Sequence, residues 1–398
     1  MTNFLPRIRE DLLITAEPNN PEFIIISDPL KLNNEDIAIP LGFLPLIQLL
    51  DGHSTMDDIE IFLSDNNLNT QEVLPLFRKV VNILEEYAFL ETERYFLLLD
   101  ELDNYIAAPI RPPVLAGSAY SSDKNELKIE INNILNHFPD TPNINNANAI
   151  IVPHIDFHTG EAARNAYSAA YKSIEDTPAD TYIIFGTSHY YNNSGFMLCS
   201  KNYSTPLGII QTDNELMDEI SKHIDIANYT DDQAHRLEHS IEFQAVLLQN
   251  KFPDKQIKIL PILCGASLID NHNDEINNKF INALNTALGT LNKKPVFIVS
   301  ADFAHIGIKH NSNINAADNR TILETADREL INTIKTLKPE LFAQKIINEY
   351  AKWQICGAAP IIALLKTTNY TDTSLEYYGQ WYEHYYDSLV SFAAISFK

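Results

Sequence analysis

The sequence predicts an α/β protein, a sheet flanked by helices, preceded by a smaller domain of different character. From residue 149 onward, apolar segments of strand length alternate with longer amphipathic stretches: AIIVP (149–153), TYIIFGT (181–187), QIKILPIL (256–263), PVFIVSA (295–301) and LVSFAAISF near the end. That alternation is how strands and helices of one layered domain read in sequence. Residues 1–105 instead carry apolar positions at helical spacing, so two domains are expected, 1–105 and 106–398. A chain of 398 residues, 45% hydrophobic and 21% charged, is long enough to build both as packed globular units.

In the first domain, a strand-like FIIIS (23–27) is followed by the apolar segment IAIPLGFLPLIQLLDG. Two helices are then predicted, STMDDIEIFLSD with Ser54 or Thr55 as cap, and TQEVLPLFRKVVNILEEYAFL starting at Thr70. AFLETERYFLLLD reads as two short strands around a polar turn, which would complete a winged helix. In the second domain, helices are expected in EAARNAYSAAYKSI, DNELMDEISKHI, IEFQAVLLQN, NKFINALNTALGTL and RTILETADRELINTIKTL. The aromatic run YYGQWYEHYYD (377–387) is read as packing surface with satisfied hydroxyls.

Charge and cysteine content exclude several classes of function. Twenty-nine Lys and Arg against fifty-three Asp and Glu leave a formal charge of −24, a field that repels nucleic acid and anionic lipid. The second predicted helix offsets Arg78 and Lys79 with Glu85 and Glu86, so it is no DNA-recognition helix. No apolar run approaches the ~18 residues of a membrane span. Three cysteines, Cys199, Cys264 and Cys356, cannot form a disulfide framework, and a reducing, cytoplasmic location is expected.

The chemistry concentrates where the strands end. His154 follows AIIVP, His189 follows IIFGTS, and Asp302 and His305 follow VFIVSA. In open α/β sheets ligands bind beyond the carboxyl ends of strands, so these turns are candidates to share one pocket. Imidazole suits zinc, copper or iron, and a ligating ring needs a carboxylate or carbonyl on its other nitrogen. Asp156, Asp302 and Glu242 are the carboxylates at hand. Cys356 stands just before a predicted helix, GAAPIIALL, whose N-terminal turn favours a thiolate, whereas Cys199 and Cys264 lie in apolar stretches and read as packing residues. His158, His235 and His310 lie in polar stretches and are expected at the surface.

Eight motifs then establish a resemblance: RPPVLAGSAY (111–120), VPHIDFHTG (152–160), GTSHY (186–190), STPLG (204–208), EHSIEFQ (238–244), ILPILCG (259–265), SADFAHIG (300–307) and ICGAAPI (355–361). In order and spacing they resemble the Memo family, whose bacterial members are called AmmeMemoRadiSam system protein B. The resemblance implies a fold similar to class III extradiol dioxygenases and one metal ion held by His154, His189 and Cys356. It further implies pocket roles for Asp302, His305, Glu238, His239 and Glu242, with iron as the leading metal and copper as an alternative. The segment LLDGHSTMDDIEIFL (49–63) resembles PqqD-like winged-helix domains, which bind leader peptides. The chain departs from the Memo pattern at Asp156, expected to orient His154 or join the metal shell, and at Tyr190, where a second histidine is common.

A thiolate with two imidazoles excludes magnesium and calcium but leaves iron, copper and zinc open. Three protein ligands leave positions for water, dioxygen or substrate, as in catalytic sites. The leading expectation is a mononuclear iron redox enzyme in which His305, held by Asp302 or by a metal-bound water, is the general acid or base. The first domain would recruit a peptide, and a radical SAM enzyme is the partner the family name implies. A zinc-dependent hydrolase and a non-catalytic metal-binding adaptor are the alternatives.

Overall fold

The apolar runs of the second domain are continuous because their strands are covered on both faces, as parallel strands generally are. The computed structural model describes residues 3–17, 20–33, 35–175, 179–190, 195–269, 274–367 and 370–398. It divides into two units, Met1–Ala107 and Ala108–Lys398.

The first unit begins with a three-stranded antiparallel sheet, β1 (Leu13–Ala16), β2 (Phe23–Ser27) and β3 (Ile37–Pro40), in that order. Four helices follow: α1 (Leu44–Ile47), α2 (Met56–Asp65), α3 (Thr70–Glu86) and α4 (Glu93–Ala107). Thr55 caps α2 in a capping box with Asp58, and the Asn69 side chain caps α3. Ile24, Ile26 and Ile39 of the sheet pack with Ile59, Leu63 and Phe77 of the helices. A buried Arg9–Asp28 ion pair at 2.6 Å ties the N-terminal segment to β2. The hairpin expected over AFLETERYFLLLD is absent, and its second half is helix α4. Tyr95, Leu98, Leu102 and Tyr105 turn toward the protein at three- and four-residue intervals, a period that becomes visible only when residues beyond Asp100 are included.

The second unit runs β4 (Ile110–Arg111), α5 (Lys124–Leu135), β5 (Ala149–Val152), α6 (Glu161–Lys172), β6 (Thr181–Thr187), β7 (Phe196–Leu198), β8 (Asn202–Thr205), β9 (Gly208–Thr212), α7 (Asn214–Ser221), α8 (Ser240–Lys251), β10 (Lys258–Cys264) and α9 (Asp274–Thr290). It continues β11 (Val296–Ser300), β12 (His305–Gly307), α10 (Ala316–Ile334), α11 (Pro339–Lys345), α12 (Ala358–Thr367), β13 (Thr373–Glu383) and β14 (Ser388–Phe397). Among the described residues the sheet has eleven strands, with β5, β11, β6 and β10 adjacent and parallel at its centre. β14 closes one side antiparallel to β5 and carries β13, the aromatic run, where Tyr378 and Tyr382 hydroxyls donate to Asp327 and Asp387.

Alternate residues of the central strands feed two cores. Ile151, Ile183, Phe185, Leu260 and Val299 point into one, covered by α7, α9, α10, α11 and α12. Ile150, Tyr182, Ile184, Ile259 and Ile298 point into the other, covered by α5, α6 and α8. The layers are helix, sheet, helix, and the carboxyl ends of the parallel strands are left to carry polar turns.

Candidate metal centre

His154 lies two residues beyond β5, His189 two beyond β6, Asp302 two beyond β11, and His305 opens β12. Cys356 reaches the same place from the turn before α12, and Gly357 is what permits this approach. Its N–H donates to the Asp302 carbonyl at 3.0 Å, and a Cβ there would stand 2.4 Å from that oxygen and 2.5 Å from the Ala301 Cβ. Thr187 Oγ1 lies 3.3 Å from both the Ser300 and Cys356 carbonyls, joining all three segments.

Nε2 of His154 stands 3.4 Å from Cys356 Sγ, and the candidate ligand atoms of His154, His189 and Cys356 all lie within 4.8 Å of one another. Each imidazole is held through its other nitrogen. His154 Nδ1 is 3.0 Å from the Ser300 carbonyl, and His189 Nδ1 is 2.9 Å from Glu238 Oε1. A carbonyl can only accept, so His154 carries its proton on Nδ1 and leaves Nε2 for a metal; a carboxylate imposes the same tautomer on His189. The donor set therefore fits a cation of the iron, copper or zinc kind.

Burial alone pushes the Cys356 thiol up, but when the surrounding imidazoles are protonated, the charge on His305 and His154 and hydrogen bonds from His154 and His189 bring it well below the usual thiol range, so the pocket favours a thiolate beside positive charge. His189 is raised despite burial because Glu238 faces it, and Glu238 is lowered because His189 and His239 face it. His305 is pushed up to about 9, against its burial, by Cys356 and Asp302. His239 is pushed down to about 3 by burial, and its ring stacks on that of His189 with centroids 4.5 Å apart. Cys199 and Cys264 are buried and their thiols raised by desolvation, in keeping with packing roles.

His189, Glu238 and His239 also cluster closely enough to hold an ion. Glu238 is already committed, accepting the N–H groups of His189, His239 and Ser240 and the imidazole of His189. It positions His189 rather than offering a vacant lone pair. Beside Cys356 and His189 a cavity of about 230 Å3 is lined by Thr187, Ser188, Cys264 and Ala359.

Four sequence expectations, on Asp156, Glu242, His235 and His310, are corrected here. Asp156 neither orients His154 nor joins the cluster: it caps the short turn Phe157–Thr159 and faces His158 at 3.1 Å. Asp302 takes the place next to His154, accepting its N–H at 3.1 Å, with Oδ2 3.7 Å from its Nε2. Glu242 is fully buried away from the cluster, in an ion pair with Arg111 and accepting the Tyr120 hydroxyl and the Val114 and Leu115 N–H groups. Its motif EHSIEFQ thus clamps the motif RPPVLAGSAY. His235 is buried, placed between the Tyr203 hydroxyl and the Met197 carbonyl, each at 2.8 Å. His310 is half-buried with its ring edge-on to His305, centroids 4.9 Å apart, while His158 is exposed as expected.

Sequence reasoning missed Ser300, Ser240 and Gln244, which lie inside quoted motifs or strands. Gln244 Nε2 donates to the Pro153 carbonyl and to Ser300 Oγ, each at 2.9 Å, and Ser240 Oγ donates to the Thr187 carbonyl at 2.8 Å. The available signal was a glutamine and a serine on a helix with no polar face, where a buried amide must find partners.

The family model for Memo-like proteins matches residues 111–396. A MEMO1 family protein of Aquifex aeolicus is 29% identical over 98% of this chain and 99% of its own length, so that similarity also takes in the N-terminal unit. MEMO1 family proteins of Methanococcoides burtonii (30% identical; 68% of this chain, 92% of its own) and Methanosarcina barkeri (28%; 64% and 86%) are also similar. The chain belongs to the Memo family.

Proposed function

We propose that the protein is a metal-dependent redox enzyme built around one iron ion held by His154, His189 and Cys356. The observation that carries this reading is the meeting of one thiol and two imidazoles, each with its far nitrogen already occupied. Iron so bound would supply one-electron chemistry toward dioxygen or a reduced oxygen species.

The surrounding residues divide the proton work. His305 opens β12 beside Cys356 and Asp302, whose charges favour its protonated form, and acts as the general acid or base. His239, pushed down to about 3 by burial and stacked on His189, stays neutral and offers a hydrogen bond to substrate. Asp302 steadies the His154 backbone and the charge on His305. A peptide substrate recruited by the first unit, modified together with a radical SAM partner, belongs to the same proposal. It is supported by β1, which stands at the edge of its sheet among the described residues and whose four residues are exposed.

The test is metal analysis after anaerobic and aerobic purification, with spectroscopy, on the parent and on His154→Ala, His189→Ala and Cys356→Ser. Stoichiometric iron lost in each variant is expected. Stoichiometric zinc would favour a hydrolase, and metal retained in all three variants would overturn the site.

A further inference from the structure

Far from the metal-facing turns, at the carboxyl end of α8, a groove of about 460 Å3 runs between β9 and the segment leading into β10. Its wall inverts the charge of the chain. Lys124, Lys128, Lys255 and Lys258 line it, with no Asp or Glu among the described lining residues, in a protein with nearly twice as many acidic as basic side chains. Lys258 lies 4.0 Å from Asp213, and Lys255 sits 4.8 Å over the Phe252 ring. Lys124 and Lys128 are exposed and, among the described residues, have no ion-pair partner.

The placing of those two lysines works against α5. They are one turn apart on the same face, and Lys124 is the first residue of the helix, where a cation opposes the macrodipole and is offset in part by Asp123 at the cap and Glu126 in the first turn. An anion in the groove relieves both repulsions. The floor is apolar, with Ile209 54% exposed and Ile210, Phe252 and Ile257 beneath. β9 also has unused edge: Gly208–Ile210 pair with β8, while β10 meets β9 only at Gln211 and Thr212.

We propose that this groove binds a short extended peptide in which acidic and apolar residues alternate, its backbone against β9 and its carboxylates on the lysines. Alternation suits a strand, which turns successive side chains to opposite sides. A long polyanion is disfavoured by the net charge of −24 beyond a Debye length of about 8–10 Å, whereas a few carboxylates held inside the groove see chiefly the lysines.

The experiment uses the full chain and a fluorescent Glu-Ile-Glu-Val-Glu pentapeptide, with anisotropy as readout at low and high salt. Its Lys-Ile-Lys-Val-Lys counterpart, inorganic tripolyphosphate and oligo-dT serve as competitors. Saturable binding of the acidic peptide is expected, weakened at least about tenfold by added salt and by Lys124→Glu/Lys128→Glu/Lys255→Glu, with thermal midpoint and metal content unchanged. Should the triple variant fail to fold, Lys124→Glu and Lys255→Glu singly are expected to weaken binding in the same direction. No saturable binding, equal binding of the basic peptide, or unchanged affinity in the folded variants would overturn the proposal. Binding of tripolyphosphate or oligo-dT in place of the peptide would overturn its choice of ligand.

Discussion

Replacing Glu242 with Gln separates scaffold from chemistry at a residue whose motif invites a catalytic reading. The carboxylate is fully buried and takes four donors: Arg111 and Val114 N–H on one oxygen, Leu115 N–H and the Tyr120 hydroxyl on the other. Glutamine turns one of those oxygens into an NH2 group facing two donors and leaves the Arg111 guanidinium without a counter-charge. Arg111 keeps the His235, Glu238 and Pro112 carbonyls, at 2.9, 2.7 and 3.1 Å. Removing one partner of a buried pair costs about 3–5 kcal/mol. At roughly 2–3 °C per kcal/mol for a unit this large, the thermal midpoint should fall by about 6–15 °C. Calorimetry reads the midpoint, and metal content is measured well below it. A midpoint within about 1 °C of the parent, combined with loss of metal or turnover at low temperature, would refute the structural assignment. An Arg111→Met/Glu242→Leu pair should not recover the parent, because the carbonyls and N–H groups that the two charges satisfy would all be orphaned.

Glu238→Gln should lower metal affinity about 10–100-fold by weakening the hold on the His189 imidazole, and should also lower the midpoint because the buried carboxylate takes four N–H donors; competition with a chelator well below the midpoint reads the affinity, and unchanged affinity would speak against the positioning role. Gly357→Ala must displace either Cys356 or the Asp302 turn, costing about 1–3 kcal/mol and weakening metal retention, and a crystal structure showing both segments unmoved would contradict the steric argument. Asp327, fully buried and pushed up to about 7 by burial, takes up a proton on folding. Its folded pKa lies above the unfolded value of about 3.9, so stability falls as pH rises from about 4 to 7 and is flat above. Between about pH 5 and pH 8 the loss should be roughly 2–3 kcal/mol, and Asp327→Asn should abolish it in urea titrations; an equal slope in the variant would rule out this carboxyl as its source.

The parallel core and the convergence of the turns bearing His154 and His189 were legible because each depends on short-range signals, whereas Cys356 joined them in the sequence reading only through the family resemblance. A strand buried on both faces is a continuous apolar run, and the polar residues directly after β5 and β6 stand at the end where ligands gather. The carboxylates around those ligands were not legible. Asp156, two residues from His154, spends its oxygens on a local turn, while Asp302, 148 residues away, meets the His154 N–H. Glu238 and Glu242 stand one helical turn apart in the same motif, yet Glu238 precedes α8 and meets His189, and Glu242 lies inside it and meets Arg111. Only the tertiary partner distinguishes them. His235 was misread for a similar reason: polar neighbours in sequence say nothing about a loop whose ring nitrogens find Tyr203 and Met197 in the interior.

Helix α8 joins these observations. Ser240, Glu242 and Gln244 are all fully buried, so the helix has no solvent-facing polar stripe, and each of the three secures a different stretch of backbone. Ser240 takes the end of β6, Glu242 the segment after β4, and Gln244 the turn after β5 together with Ser300. Gly186 lets the helix approach, since a Cβ there would stand 2.6 Å from Ser240 Oγ. Leucines in their place could bury as much apolar surface, but they would leave those carbonyls and N–H groups unpaired and the strand ends free to shift. The proposed metal site, assembled from separate turns, needs its ligands fixed to within a fraction of an ångström. The polar interior of α8 supplies that constraint where apolar packing, which is non-directional, cannot.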